Sequence, residues 1–283
     1  MVCLAIAACQ APLGPDEINL KALEWISGDT DPITHLTQQP ATCLTAPNQA
    51  SVQRGALLFS SPLLLGGQAS KAGLSCAACH RNGRGNPDFV FMGVSGAPGT
   101  ADVTHGLFSK VRADNVFNPV PIPDLAKDEG RILVDRGNPG VLEAFLSAQI
   151  IEEFAGSDPE AEIIADLAAY LRALDDSVCA ADRTERQSWQ AEINLIRAGA
   201  TAEMRGPSPY TDAMRAALGR IHERFPAPSH APLREALIRM SRELEAGMTP
   251  AALEAALSDL SQKLDAADQG SLYNEQVLAR SLR

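Results

Sequence analysis

The sequence predicts an all-α protein in two parts, a loop-rich unit over residues 51–178 and an α-helical bundle over residues 182–283. Three observations carry this. Apolar residues recur at helical period through Ile163, Ile164, Leu167, Ala168, Tyr170, Leu171 and Leu174. Residues 182–283 divide into four or five amphipathic segments, at 182–204, 210–225, 230–247, 249–267 and 271–281. Their breaks fall at Gly206-Pro207, Pro226-Ala227-Pro228 and Gly247. Between the halves of the first unit, residues 81–140 are rich in Gly, Pro, Asn and Asp, with no helical stripe. The chain has 283 residues, enough for two modest units. Apolar residues make up 45% but aromatics only 5%, so the core is expected to be mostly Leu, Ala and Ile.

The elements follow in order. Residues 1–9 are apolar and end in Ile6-Ala7-Ala8-Cys9, small residues before a cysteine, similar to a bacterial lipobox. We read a remnant secretory signal, with a lipid anchor at Cys9. No Lys or Arg precedes the run, so a start codon further upstream is implied; a buried N-terminal strand is the competing reading. Residues 10–50, with Pro12, Pro15, Pro32, Pro40 and Pro47, read as a tether with a short helix near 16–27. Ser51 is placed as N-cap of the helix that begins the loop-rich unit and runs to Phe59. Residues 142–154 predict another helix. Ser157-Asp158-Pro159-Glu160 has the form of a capping box opening the helix that closes the unit. In the C-terminal part Thr249-Pro250 is a good helix start. Met204, Met214, Met240 and Met248 read as core filler, and His222 and His230 as solvated or core residues.

The chemistry concentrates at Cys76-Ala77-Ala78-Cys79-His80. This is C-x-x-C-H, the attachment signature of a c-type haem. Each thiol adds across one vinyl group. Two intervening residues let both sulfurs reach one porphyrin edge, and the histidine is held under the iron as axial ligand. The competing readings are a thioredoxin-like redox pair and half a zinc site. Zinc needs a second ligand pair, and the chain has no other C-x-x-C and no H-x-x-x-H; a redox pair has no use for His80. The site therefore consists of Cys76 and Cys79 for covalent attachment of one haem c and His80 for the iron. A long loop region is tolerable around such a group, because the macrocycle supplies missing core.

Of the six cysteines, Cys3 and Cys9 lie in the signal-like segment, and Cys43 and Cys179 bracket the motif unit. Haem attachment implies an export compartment, where disulfides persist. A Cys43–Cys179 staple is an open possibility, since sequence does not fix connectivity. The net charge is −11, made up of −10 over residues 1–181 and −1 over residues 182–283. That acidity argues against nucleic acid or anionic lipid and suits a basic redox protein, or simple solubility. No apolar stretch is long enough to span a membrane.

Arg54-Gly55-Ala56-Leu57-Leu58-Phe59, Pro62-Leu63-Leu64-Leu65 and Gly73-Leu74-Ser75-Cys76-Ala77-Ala78-Cys79-His80 together resemble a cytochrome c domain. In particular they resemble the domains of bacterial dihaem cytochrome c peroxidases and their relatives. Ser95-Gly96 and Gly99 are similar to that family's Ser-Gly-rich loop, and residues 165–174 to its closing helix. The resemblance covers about residues 51–175 and implies that the first and last helices cross at Gly55, beside Phe59 and Tyr170. The chain departs from the family in two respects. It has one C-x-x-C-H where the peroxidases need two haems. Residues 110–156, where a distal methionine would be expected, contain neither Met nor His. Between His80 and the closing helix the only Met and His are Met92 and His105, the two distal candidates; a lysine, a C-terminal methionine or an open site are the alternatives, with Met92 then packing on the porphyrin or on Phe59 and His105 at the surface. Met92 would raise the potential and shut out small ligands; His105 would give bis-histidine iron. Asn118-Pro119-Val120-Pro121-Ile122-Pro123 reads as an extended wall against a haem face or as a proline-bounded loop. The expected function is one-electron transfer by a monohaem cytochrome in the bacterial periplasm or cell envelope. The alternatives are an open-site, peroxidase-like haem enzyme and a haem-based sensor or binding module.

Overall fold

Two helices set the architecture. α2 (Ala50–Phe59) and α6 (Ala161–Ala173) cross in close contact at Gly55. A Cβ at Gly55 would overlap the Asp166 carbonyl oxygen and lie 2.6 Å from Tyr170 Cβ, so only hydrogen fits. The Phe59 and Tyr170 rings meet beside the crossing, centroids 5.2 Å apart. Arg54 clamps it from the other side, donating through Nε and Nη2 to the buried Asp166 carboxylate at 2.6 and 2.9 Å. The crossing anticipated from the resemblance is therefore present.

The structure is a computed structural model and describes residues 25–128, 135–179, 183–200 and 206–282. It is mostly helical, as the sequence predicts. The remaining elements are α1 (Pro32–Thr37), β1 (Gln38–Pro40), α3 (Gly67–Lys71), α4 (Cys76–Cys79), β2 (Thr100–Ala101), β3 (Val120–Pro121), α5 (Val141–Ala148), β4 (Thr184–Arg186), α7 (Trp189–Ala198), α8 (Pro209–Glu223), α9 (Ala231–Ala246), α10 (Pro250–Ala267) and α11 (Glu275–Ser281).

Several expectations shift. Ser51 lies inside α2, and Gln49 is its N-cap, without a side-chain bond. The capping box at 157–160 does not form. Proline keeps the preceding residue extended, and the chain stays extended through Glu160, so α6 starts at Ala161. The helix expected over 142–154 ends at Ala148 and continues as a π-helical turn, Gln149–Glu153. The lipobox and most of the helix expected near 16–27 lie outside the described residues. The described part is not helical, since Ile26 makes an antiparallel bridge to Phe89.

The stretch read as a tether is packed where it is described. Gln38, Gln39 and Pro40 pair antiparallel with Arg186, Glu185 and Thr184, which lie in a segment expected to be helical. Cys43 and Cys179 are disulfide-bonded, Cα atoms 5.5 Å apart. This strap and its bond tie the entry and exit of the motif unit together. Closing a loop of this length stabilises the fold by about 3–5 kcal/mol in the chain-entropy description. A Cys43→Ala/Cys179→Ala variant is expected to lose that much in urea unfolding. A loss below about 1 kcal/mol would show that β1–β4 pairing holds the strap without the bond.

The C-terminal helices do not form a separate core. α7 and α8 pack on α2, and one continuous apolar cluster joins Leu57, Leu58 and Leu167 to Ile196, Met214 and Leu257. Met214 and Met240 are buried, as filler residues should be. Polar bonds cross the same seam: the Tyr210 hydroxyl donates to Asp166 at 2.6 Å, and Arg220 Nη1 to the Ser60 carbonyl at 3.0 Å. Among the described residues no helix is long and apolar enough to cross a membrane.

Candidate functional site

The segment before the motif is fixed by Leu74, buried, and by Ser75, extended. Cys76–Cys79 then makes one helical turn, closed by the His80 N–H donating to the Cys76 carbonyl at 2.9 Å. The chain must reverse immediately afterwards. Asn82 adopts φ +52° and Gly83 φ +73°; a Cβ on Gly83 would strike the Leu174 side chain at 2.5 Å. The turn is held from three sides. Asn86 Nδ2 donates to the Ala78 carbonyl at 2.8 Å. Arg81 Nη2 donates to the carbonyls of His35 and Gln38 at 2.9 and 2.8 Å. Asn82 Nδ2 donates to the Pro40 carbonyl at 2.9 Å and to Glu185 Oε1 at 2.7 Å. The strap is thus the platform on which the residues after His80 rest.

His80 Nδ1 lies 3.1 Å from the Pro123 carbonyl oxygen. A carbonyl only accepts, so Nδ1 carries the proton and the lone pair resides on Nε2. Pro123 is held in turn. Arg84 Nε bonds both oxygens of Asp124 at 2.8 Å, and Asp124 Oδ1 accepts from the Ala126 N–H at 3.0 Å. Upstream, β3 pairs with β2 and keeps the proline-rich wall extended. The Phe59 ring stands 6.4 Å from the His80 ring.

Cys76, Cys79 and His80 lie in dense surroundings, yet all three remain partly accessible. Burial pushes the Cys76 thiol up to about 11 and the Cys79 thiol up to about 12. Burial likewise presses His80 down to about 4, against the opposing pull of the Pro123 bond. At neutral pH the site holds two protonated thiols and one neutral imidazole. Redox pairs of the thioredoxin kind work through a lowered thiol pKa, the opposite of what burial does here. Among the described residues no three His, Cys, Asp or Glu side chains converge as a metal-ion site would require. A cavity of about 270 Å³ borders the same turn at Ala77 and is lined by Phe59 and Tyr170.

The two distal candidates differ in placement. Phe91 and Val94 turn into the core, Phe91 stacked on Trp25 at 4.3 Å, and Met92 between them is 90% exposed. It does not pack on Phe59. His105 is half-buried, and its Nδ1 accepts from the Leu107 N–H at 3.1 Å, which puts the imidazole proton on Nε2. Neither side chain presents a second free imidazole or thioether inside the core. The residues that sequence reading missed are Asn86, Arg81 and the Pro123 carbonyl. Of these only the proline wall left a signal, in its composition.

Comparison of the chain with models of known protein families, with curated proteins and with solved structures finds no match.

Proposed function

We propose that the protein carries one haem c, bound through Cys76 and Cys79 with His80 as axial ligand, and transfers single electrons in the bacterial periplasm or cell envelope. The observation that carries this reading is the His80 Nδ1–Pro123 carbonyl bond. Metal-ligating histidines characteristically spend the second ring nitrogen in this way, which fixes the tautomer and aims Nε2. When bound, the haem supplies a metal centre that takes up and returns one electron. The chain's own contribution is positional. The turn sets the two sulfurs, Asn86 and Arg81 keep the turn from opening, and the Phe59 and Tyr170 rings supply an apolar wall near His80. The acidity of residues 1–181 suits a basic protein partner rather than nucleic acid. Membrane attachment rests on the lipobox-like Cys9, outside the described residues.

The exposure of Met92 favours a second reading, an open-site haem protein acting as a peroxidase-like enzyme or as a sensor. One measurement separates the two. Electron transfer predicts a six-coordinate low-spin ferric spectrum and a ferrous form indifferent to carbon monoxide. If Met92 is the sixth ligand, Met92→Ala abolishes the weak far-red band of a sulfur–iron bond, admits carbon monoxide and lowers the potential, while His105→Ala changes none of these. A high-spin ferric spectrum in the unmodified protein would move the assignment to the enzyme or sensor class.

A further inference from the structure

A second recess lies away from the motif, where α1 and β1 of the strap meet α7, the C-terminal end of α8 and the turn before α11. Its volume is about 320 Å³, at the small end of the range for small-molecule sites. Leu36, Ala191 and Leu272 give it an apolar wall, and Arg220, Arg224 and Tyr273 supply its polar groups. The two arginines are not equivalent. Arg220 is neutralised by a bidentate pair with Glu192, Nε to Oε1 at 2.9 Å and Nη2 to Oε2 at 2.7 Å. Arg224 meets no carboxylate among the described residues. Its Nη2 donates to the neutral Gln187 Oε1 at 2.7 Å, and its guanidinium stacks on the Tyr273 ring, 5.3 Å from the centroid.

An arginine has five N–H donors, and this one spends a single donor on the protein. The charged residues lining the recess are Arg220, Arg224, Glu192 and Glu223, and a third guanidinium, Arg81, stands nearby. Arg81 donates to the His35 and Gln38 carbonyls, the same two that Gln187 Nε2 contacts. Arg224 and Arg81 are close enough to repel, and burial lowers the pKa of each. The carboxylate of Glu223 also lines the recess, but that residue is exposed. Glu192 and Glu223 attract Arg224 through space, but no carboxylate among the described residues pairs with it directly, and a partly buried guanidinium with unspent N–H donors facing a cavity is a feature that an anion would relieve.

We propose that this recess binds a small organic carboxylate, its oxygens held by the remaining N–H groups of Arg224 and by the Tyr273 hydroxyl, and its short apolar part against Leu36, Ala191 and Leu272. The site stands independently of the haem reading.

The test uses the full chain at low ionic strength, following thermal unfolding against sodium butyrate, inorganic phosphate and the neutral butyramide. Butyrate should raise the unfolding midpoint saturably, more than phosphate does, and butyramide should not. Arg224→Gln should weaken butyrate by at least about tenfold. Arg239→Gln, on the exposed face of α9, should leave it unchanged. Should Arg224→Gln fail to fold, Tyr273→Phe, which removes only a hydroxyl, decides in its place by a several-fold loss. Equal responses in unmodified protein and the deciding variant, phosphate binding as tightly as butyrate, or no saturable response at all would each overturn the assignment.

Discussion

Cys76→Ser/Cys79→Ser protein, matured in a host that exports and assembles c-type proteins, is expected to carry no covalent haem, whereas the unmodified chain keeps one haem mass through acid–acetone extraction. Serine preserves the shape of the turn, which is held by the His80 N–H bond to Cys76 and by Asn86 on Ala78, neither of which uses sulfur. The substitution therefore removes the two sulfurs and little else. Both cysteines are free of disulfide, so no competing bond consumes them. Intact-mass spectrometry reads the result directly. Haem that extracts from the unmodified protein would end the covalent assignment. His80→Ala should behave differently, keeping the thioether links while losing the axial bond and its low-spin spectrum.

The second large effect is structural. Asp166→Ala is expected to destabilise the fold by about 3–5 kcal/mol, because removing one partner of a buried pair strands the other. Asp166 is 3% exposed and accepts three bonds, two from Arg54 and one from Tyr210. These donors come from α2 and α8, so one carboxylate serves the helix crossing and the seam to the C-terminal helices together. Tyr210→Phe alone should cost about 1 kcal/mol. Combined with Asp166→Ala it should add almost nothing, since the hydroxyl has then already lost its acceptor. Urea unfolding of the two single variants and the double variant measures this. Full additivity would mean that the hydroxyl does not depend on Asp166.

The sequence made some of this legible and hid the rest for physical reasons. Helical period exposed α6 and the C-terminal helices, because a buried stripe must recur every three to four residues whatever it packs against. The C-x-x-C-H motif was legible because its spacing is local to five residues. Gly55 could be placed at a crossing only through the family resemblance; nothing in its neighbours signals Asp166 across 111 residues. The β1–β4 pairing joins Gln38 to Arg186 by backbone bonds that carry almost no side-chain signature, and a three-residue strand is too short for alternation to show. The recess at Arg224 was equally hidden. Its members come from four separate stretches of chain, and an arginine that forms no ion pair among the described residues looks in the sequence like any other.

The Cys43–Cys179 bond closes a covalent ring around the motif, and this has a consequence for proteolysis. Exposed loop segments such as those carrying Met92 and, separately, Val111, Val116 and Phe117 are where proteases cut. A single nick anywhere between the two cysteines leaves both fragments joined through sulfur. The nicked molecule should migrate at full mass on a non-reducing gel and separate into two pieces only after reduction. The strap makes one cut survivable: the piece bearing Cys76, Cys79 and His80 stays fastened to the helices that pack against it.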